Sequence, residues 1–339
     1  MQFNKKHILS LLIVVALAFF LSTYQLPYYI YKPGGADPLN PIVEVQGGYE
    51  SEGDMHLVTI RGGQATPIQY VLAKAMPHQE VLPLREVRQE GVSESEYFHA
   101  QLQMMESSQE AAKVVAYKEA GEDIKINYNG VYVVAVVEGM PADGELKAGD
   151  RITGINGQEI KESKNLIQFV EDKQAGDTIA LEVMRDGERL TREITLERFE
   201  ELENKVGIGI RLVTDREVSV KPEVKFSSGN IGGPSAGLMF SLEIYDQLTE
   251  GDLTNGQEIC GTGEIDYDGN VSRIGGIDKK VVAADDEGCN IFLAPNEDGA
   301  KGSNYEVAKK TVEEIGSNMK VVPVDTFDEA IEYLQGMDG

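Results

Sequence analysis

A glycine-rich stretch decides how the C-terminal half of the chain is interpreted. Residues 229–237 read GNIGGPSAG, and apolar residues follow it at helical spacing. Pro234 suits the first turn of a helix, so the stretch predicts a loop that opens a helix over Ser235–Leu248. Backbone N–H groups are free in such a turn and the helix dipole is positive there, so this position can stabilise an oxyanion. Ser235 is therefore a candidate nucleophile.

Two other interpretations of the same stretch need to be weighed. A phosphate-binding loop is disfavoured because no Gly-Lys-Ser/Thr follows the glycines, so the chain is not expected to bind a nucleotide. The other interpretation is that Ser235 is an ordinary serine in the first turn of a helix, and the loop alone does not exclude it.

A second pattern follows further along the chain. Residues 262–265 (TGEI) end a predicted strand, and residues 274–276 (IGG) lead into a helix. On that helix Lys280 shares an apolar face with Ile277 and Val281. Burial lowers the pKa of a lysine, and a lysine with a lowered pKa can serve as a general base. The alternative is a lysine whose amine reaches water at the end of its flexible side chain.

These motifs resemble, in order and spacing, the Lon-type Ser–Lys peptidase domain, over about residues 201–337. The resemblance implies that Ser235 attacks the peptide carbonyl and that neutral Lys280 removes its proton. It further implies that Thr262 orients Lys280, and that backbone amides around Gly233 and Ser235, in the loop that contains Pro234, bind the oxyanion. The acidic residue often found three positions before the serine is Gly232 here, which removes a candidate electrostatic partner.

A compact β-rich segment precedes this domain. Residues 139–157 read GMPADGELKAGDRITGING, and a predicted helix and a hairpin follow. The spacing resembles a PDZ domain over about residues 115–198, which implies a groove that captures an extended peptide by strand addition. A PDZ-like module that only packs against its neighbours is the alternative. Five residues lie where the family's peptide-binding loop and strand are expected: Asn129, Gly130, Val131, Tyr132 and Val133.

The N-terminus predicts a membrane anchor. Lys5 and Lys6 precede the apolar run Ile8–Leu21, which reaches about 19 residues, or about 28 Å of helix, when extended to Leu26. Tyrosines follow, as expected at a membrane interface. The lysines favour a cytoplasmic N-terminus, so we expect a single-pass protein of the cell membrane with its catalytic part outside. A cleaved signal peptide is the alternative.

Composition bounds the remaining function classes. The 339 residues carry a net charge of -26, which argues against nucleic acid and anionic lipid surfaces as partners. Four histidines, all before the last domain, disfavour a Ser-His-Asp triad, and no metal-binding motif or cofactor is expected. Cys260 and Cys289 are too few for a disulfide framework; a single disulfide remains open, but two buried thiols are favoured.

The predicted fold class is α+β, with an N-terminal transmembrane helix, a PDZ domain and a Lon-type domain of mixed α/β character. The expected boundaries are 1–33 for the anchor, 34–114 for a region packing on the other domains, 115–200 for the PDZ domain and 201–339 for the protease domain. The layout resembles the PDZ-containing, membrane-anchored Lon-like serine proteases of Gram-positive bacteria.

That resemblance implies an ATP-independent serine endopeptidase that cleaves exported or cell-surface peptides or unfolded proteins, recruited or gated by the PDZ domain. The ATP-dependent relatives carry a Walker motif, and this sequence has none. The alternative is a catalytically inactive, membrane-tethered PDZ adaptor that binds exported proteins. Assembly into a homo-oligomer is left open.

Overall fold

The computed structural model describes residues 5–88, 92–199 and 205–337. The helices are α1 (Lys5–Thr23), α2 (Pro67–Ala75), α3 (Leu84–Val87), α4 (Glu94–Ala120), α5 (Ser163–Glu171), α6 (Gly237–Leu248), α7 (Ile277–Glu287), α8 (Asn304–Ile315) and α9 (Phe327–Gln335). The strands up to the middle of the chain are β1 (Tyr28–Pro38), β2 (Val43–Val45), β3 (Asp54–Gln64), β4 (Glu80–Pro83), β5 (Asp123–Val136), β6 (Arg151–Ile155), β7 (Gln158–Glu159), β8 (Thr178–Arg185) and β9 (Glu188–Thr195). The remaining strands are β10 (Glu197–Phe199), β11 (Lys205–Gly207), β12 (Ile210–Lys221), β13 (Val224–Phe226), β14 (Glu258–Gly261), β15 (Glu264–Ile265), β16 (Val271–Ser272), β17 (Ile291–Pro295) and β18 (Lys320–Val324).

The described residues form two compact units. One unit is built from both ends of the chain, Met1–Asp123 and Val220–Gly339, and the other is the central segment Ile124–Ser219. The sequence predicted separate regions over 34–114 and 201–339. The structure instead joins most of these residues in one unit, because strands from both regions hydrogen-bond within one sheet.

The first unit is organised around a six-stranded mixed sheet in the order β18-β17-β14-β3-β1-β4. Strands β3, β14, β17 and β18 pair in parallel, and β1 pairs antiparallel with β3 and β4. Every residue of β17 is buried, as expected for a parallel strand covered on both faces. Helices α7 and α8 contribute to the core around Phe292, while α6 packs on the side where Gly261 leaves room for Met239.

Cys260 and Cys289 are joined by a disulfide, with their Cα atoms 5.8 Å apart. The prediction of two buried thiols is therefore wrong in this structure. Cys260 lies on β14 and Cys289 follows Gly288, the C-cap of α7, so the packing of α7 against the sheet brings the two sulfurs together. Sequence spacing could not reveal this contact, because it depends on tertiary packing.

Helix α4 begins and ends as its sequence predicts. Ser93 and Glu96 form a reciprocal capping box, and Gly121 ends the helix in the left-handed conformation at φ +70°. The helix buries Ala112, Val115 and their neighbours against α6. This packing brings α4 next to the segment that precedes α6.

The second unit is a sheet in the order β12-β5-β6-β8-β9, with β7 added beside β6. Strands β8 and β9 form the predicted hairpin around Asp186-Gly187, from Thr178↔Thr195 to Arg185↔Glu188. The fully buried Asp150 accepts two hydrogen bonds of 2.7 Å from Arg185, which bind the loop before β6 to the end of β8. Helix α5 covers the core of this sheet through Leu166 and Val170.

Helix α1 has 19 residues, and its apolar side chains are exposed along its length, from Ile8 at 47% to Phe19 at 69%. Across residues 5–88, 92–199 and 205–337, no helix was found to combine the length and apolarity needed to span a membrane. The predicted transmembrane helix is thus not identified as such in the described part of the chain.

Candidate active site

The glycine-rich loop of residues 229–236 is called the nucleophile loop here, after the candidate nucleophile Ser235, and it ends just before α6. The sequence predicted that the helix starts at Ser235, but it starts at Gly237, with Ala236 as its N-cap. The carbonyl oxygen of Ser235 accepts from the Gly263 amide at 3.0 Å and from Thr262 Oγ1 at 2.9 Å. Because this oxygen is held by the neighbouring segment, Ser235 lies in a turn whose geometry is set by residues 262–263.

Lys280 meets Ser235 at the end of this turn. The Nζ atom of Lys280 lies 2.8 Å from Oγ of Ser235, within hydrogen-bond distance. Helix α7 follows Gly276, which adopts the left-handed conformation at φ +71°, and it turns Lys280 inward beside Val281 and Ala284. Lys280 is only 3% exposed.

Burial changes the protonation of this lysine. Loss of water around the amine lowers the pKa of Lys280 from its ordinary value of 10.5 to about 7. The neutral amine is therefore well populated near neutral pH. A neutral amine 2.8 Å from a hydroxyl can accept its proton, which is the requirement for a general base.

Thr262 determines how the lysine is oriented. Its Oγ1 lies 2.9 Å from Nζ of Lys280, and it donates its own proton to the carbonyl oxygen of Ser235. Because that proton is committed, Thr262 can only accept from Lys280. A neutral Lys280 therefore directs an N–H at Thr262 and keeps its lone pair for Ser235.

Helix α4 holds the nucleophile loop at two points. The amide of Gly233 donates to the carbonyl oxygen of Gln101 at 2.8 Å, and Ser108 Oγ donates to the carbonyl oxygen of Pro234 at 2.9 Å. The Gly233 amide was predicted to bind an oxyanion, and this is a correction, because that N–H is already engaged. Within the described residues, the amides of Ser235 and Ala236 donate to no other group and remain available for an oxyanion.

The structure gives a steric reason for glycine at the start of the loop. A Cβ atom on Gly232 would lie 2.7 Å from Cβ of Gln101, closer than carbon atoms approach each other. Gly233 has φ +97°, which side chains rarely tolerate. An acidic residue at position 232 would therefore require α4 to move away from the loop.

The predicted peptide-binding strand of the second unit needs correction. Residues 129–133 lie within β5, which has β6 on one side and β12 on the other, so no edge is open for an added strand. Val131 and Val133 are fully buried in the core, and a Cβ on Gly130 would lie 2.4 Å from the Ile152 carbonyl oxygen. Tyr132, at 39% exposed, points away from that core.

Strand β12 lies at one edge of this sheet, and β9 lies at the other. Helix α5 lies beside β12, because the amide of Ser163, at the start of α5, donates to Thr214 Oγ1 on β12 at 3.0 Å. Ile210 and Leu212 of β12 pack partly buried against the core. The strand-and-helix pair that could hold an extended peptide is therefore β12 with α5.

Family models match two consecutive parts of the chain. Residues 102–196 match the PDZ domain, and residues 203–335 match the Lon protease (S16) C-terminal proteolytic domain. The chain contains a PDZ domain and a Lon-type protease domain. Ser235, Thr262 and Lys280 all lie within the Lon match, and β5, β6, β8, β9 and α5 lie within the PDZ match.

Parts of the chain are similar to known proteases. The Lon protease of Campylobacter jejuni is 31% identical over 143 residues, which cover 39% of this chain and 16% of that protein. The Lon protease of Metamycoplasma arthritidis is 33% identical over 102 residues, which cover 30% of this chain and 11% of that protein. The serine protease Do-like HtrA of Bacillus subtilis is 38% identical over 74 residues, which cover 21% of this chain and 16% of that protein. The chain thus spans less than a fifth of the length of these relatives.

Two solved structures are similar in sequence to parts of this chain. The PDZ domain of an SdrC-like protein from Listeria monocytogenes is 36% identical and covers 26% of this chain and 93% of its own, with a TM-score of 0.25. A solution structure from Geobacillus thermodenitrificans is 41% identical and covers 24% of this chain and 94% of its own, with a TM-score of 0.23.

Sequence reasoning missed several residues around the site. Gln101 and Ser108 contact the nucleophile loop from a helix more than a hundred residues earlier, and no local motif marks them. Lys279 was also not singled out from the sequence; its side chain is 4% exposed and its Nζ lies 2.9 Å from Glu80 Oε2. An acidic partner on the edge strand β4 explains how a second lysine is buried beside Lys280.

Proposed function

We propose that this chain is an ATP-independent serine endopeptidase with Ser235 as the nucleophile and Lys280 as the general base. The observation that supports it most directly is the 2.8 Å contact between Ser235 Oγ and a buried amine whose pKa is about 7. The presence of a Lon-type protease domain around both residues adds support.

The proposed reaction begins with attack of Ser235 Oγ on a peptide carbonyl carbon, while its proton moves to Nζ of Lys280. The amides of Ser235 and Ala236 would stabilise the oxyanion. Lys280 then donates the proton to the departing amine, which leaves an acyl-enzyme. Lys280, neutral again, takes a proton from a water molecule as that water attacks the ester carbonyl carbon. Lys280 then returns this proton to Ser235 Oγ as the ester bond breaks, which releases the carboxylic acid product and regenerates the free hydroxyl.

The PDZ domain would recruit substrate or gate the site by adding a peptide strand to β12. Outer strands accept an extended peptide through main-chain hydrogen bonds, and neighbouring pockets select its side chains. Because the sequence contains no Walker motif, we propose that substrates are flexible or already unfolded segments, cut once or a few times.

We also propose that α1 inserts into the cell membrane and that the rest of the chain lies outside the cytoplasm. Lys5 and Lys6 before the apolar run, and the exposed apolar side chains of α1, favour this arrangement. The disulfide between Cys260 and Cys289 adds support, because disulfides persist in oxidising compartments.

The test is cleavage of an unstructured fluorogenic peptide by the full chain in detergent, compared with Ser235→Ala and Lys280→Ala. We expect both variants to lose at least about a hundredfold in kcat, in line with loss of a nucleophile or base. The matched controls are Ser241→Ala, which removes a buried hydroxyl that donates to the Gly237 carbonyl within α6, and Lys310→Ala on the surface.

Equal turnover by wild type and both dyad variants would overturn the proposal. If wild type does not cleave but its PDZ domain still binds exported peptides, the chain is a membrane-tethered adaptor instead.

A further inference from the structure

Helix α2 presents an apolar stripe that nothing in the described chain covers. Its four large side chains are each half exposed or more: Ile68 50%, Val71 66%, Leu72 52% and Met76 50%. Spacings of three and four residues place them on one side of the helix and its C-cap. The other side packs inward, where Ala73 is buried and Tyr70 contacts Tyr28 at 4.8 Å between ring centroids.

The stripe lies beside the end of α1. Helices α1 and α2 contact each other. The amide of Leu26, just after α1, donates to the Ala65 carbonyl oxygen at 2.8 Å, and Gln64 Nε2 donates to the Leu26 carbonyl oxygen at 2.9 Å. These bonds fix the start of α2 where the chain leaves α1. The apolar stripe of α2 therefore begins next to the end of α1.

The charge around α2 differs from that of the whole chain. Residues 61–88 contain four cationic and two acidic side chains, a net of +2, whereas the chain carries -26. Lys74 and Arg85 are exposed. The acidity of the whole chain predicted no affinity for anionic lipid, but the local charge next to α2 has the opposite sign and attracts it.

We infer that α2 lies in the interfacial layer of the membrane, with its apolar stripe against the acyl chains and Lys74 and Arg85 beside anionic headgroups. Amphipathic helices with an apolar face and neighbouring cations bind there, buried by about 5–10 Å. The inference rests on the proposed insertion of α1. It adds that the catalytic unit is held to the membrane at a second point, which fixes its orientation.

Depth-dependent quenching tests this placement. Val71→Cys in the full chain is labelled with an environment-sensitive fluorophore and reconstituted in vesicles of phosphatidylcholine, with and without phosphatidylglycerol. The native cysteines are disulfide-bonded and do not compete for the label. Lys310→Cys on α8, with its side chain 75% exposed, is the control. Helix α8 packs on β17 and β18, at the other edge of the sheet from β4, about 24 Å away at the usual strand spacing.

We expect the Val71 probe to shift to the blue and to be quenched several-fold more than the Lys310 probe by lipids carrying a shallow quencher. The difference should increase with phosphatidylglycerol. Both labelled proteins should cleave the soluble peptide at the same rate in detergent, which shows that they are folded.

Three outcomes would overturn the inference in distinguishable ways. If the protein floats with vesicles but both probes show the same emission and the same weak quenching by the quencher-carrying lipids, α2 does not touch lipid. If the Val71 probe is already dry without vesicles, a second copy of the chain covers the stripe. If the protein does not float, insertion of α1 fails as well, while the peptidase proposal is unaffected.

Discussion

At the residue scale, the site depends on a buried amine that stays uncharged near neutral pH. The neighbours of Lys280 on α7, Val281 and Ala284, are buried. Within the described residues, the amine of Lys280 hydrogen-bonds to the hydroxyls of Ser235 and Thr262. Hydroxyls solvate a charge less well than water does, so the neutral form is favoured. The same environment that costs folding stability provides the base.

The pH dependence of cleavage follows from this amine. Because neutral Lys280 is the active form and its pKa is about 7, kcat/KM should rise about tenfold per pH unit below that value and level off above it. Initial rates with the fluorogenic peptide between about pH 5 and pH 9 measure the profile. A profile that is flat over this range contradicts a lysine base.

A second buried titratable residue lies on α6. Burial raises the pKa of Glu243 from 4.5 to about 7, against a hydrogen bond of 2.6 Å from Gln247 Nε2 that favours the charged form. A raised carboxyl pKa means that stability is complete below about pH 4.5 and is lost as pH rises through about 7. At pH 8 the cost of charging Glu243 is on the order of 3 kcal/mol.

Glu243→Gln should therefore raise the free energy of unfolding by a few kcal/mol at about pH 8, and by little at about pH 4.5. Urea denaturation at the two pH values measures the difference. Exposed Glu314→Gln on α8 is the control, and it should change neither value. A gain of equal size at both pH values would show that charge on Glu243 is not the cause.

At the element scale, α7 is fixed to the edge of the sheet by Lys279. Its amine pairs with Glu80 of β4 at 2.9 Å and with Asp278 at 3.1 Å, and its side chain is 4% exposed. Glu80 lies opposite Tyr31 in the β1–β4 pair. Because Lys280 is the next residue on the same helix, we expect this contact to help position the amine proposed as the base.

Lys279→Met keeps most of the packing but removes the charge pair. We expect kcat to fall about tenfold with little change in KM, since small displacements of a catalytic group are costly. The midpoint of the pH profile should stay in place, because burial still determines the pKa of Lys280. Steady-state kinetics measure both.

Lys310→Met, on the exposed face of α8, is the matched control. The charge-swapped pair Lys279→Glu with Glu80→Lys should recover part of the lost kcat. A wild-type kcat in Lys279→Met would contradict the positioning role.

Local elements were predictable because their signals lie within a few residues. The capping box of α4, the hairpin at Asp186-Gly187 and the apolar face that carries Lys280 all follow from short patterns. Contacts between distant parts of the sequence could not be predicted in this way. The contact of Gln101 with Gly233 joins segments that no pattern connects, and it shows that one predicted oxyanion donor is occupied.

The prediction of the peptide-binding strand was wrong for the same reason, because it too depends on non-local contacts. Residues 129–133 have the composition of a binding strand, but whether a strand lies at an edge depends on its neighbours. The neighbour that covers this one, β12, comes about eighty residues later.

At the scale of the whole molecule, the disulfide closes a loop that contains the base. Cys260 and Cys289 are 29 residues apart, and Thr262 and Lys280 both lie between them. Closing a loop of that length removes unfolded-state entropy worth about 3–4 kcal/mol. Oxidation therefore stabilises the segment that orients the dyad.

The variant Cys260→Ala with Cys289→Ala should lower the free energy of unfolding by about 3 kcal/mol. Its cleavage activity should be lost at a lower temperature than that of wild type. Free-thiol titration of the denatured wild type should detect no thiols before reduction. Two titratable thiols in wild type would contradict the disulfide.

The division of the catalytic unit between both ends of the chain has a consequence for biosynthesis. Strands β1 and β3 emerge first, but β14, β17 and β18, which complete their sheet, are made only after the central segment Ile124–Ser219. The inserted unit has all its residues contiguous and can fold while the first strands wait for their partners. Ser235 and Lys280 also follow the central segment, so the contact between their side chains can form only after α7 has been made.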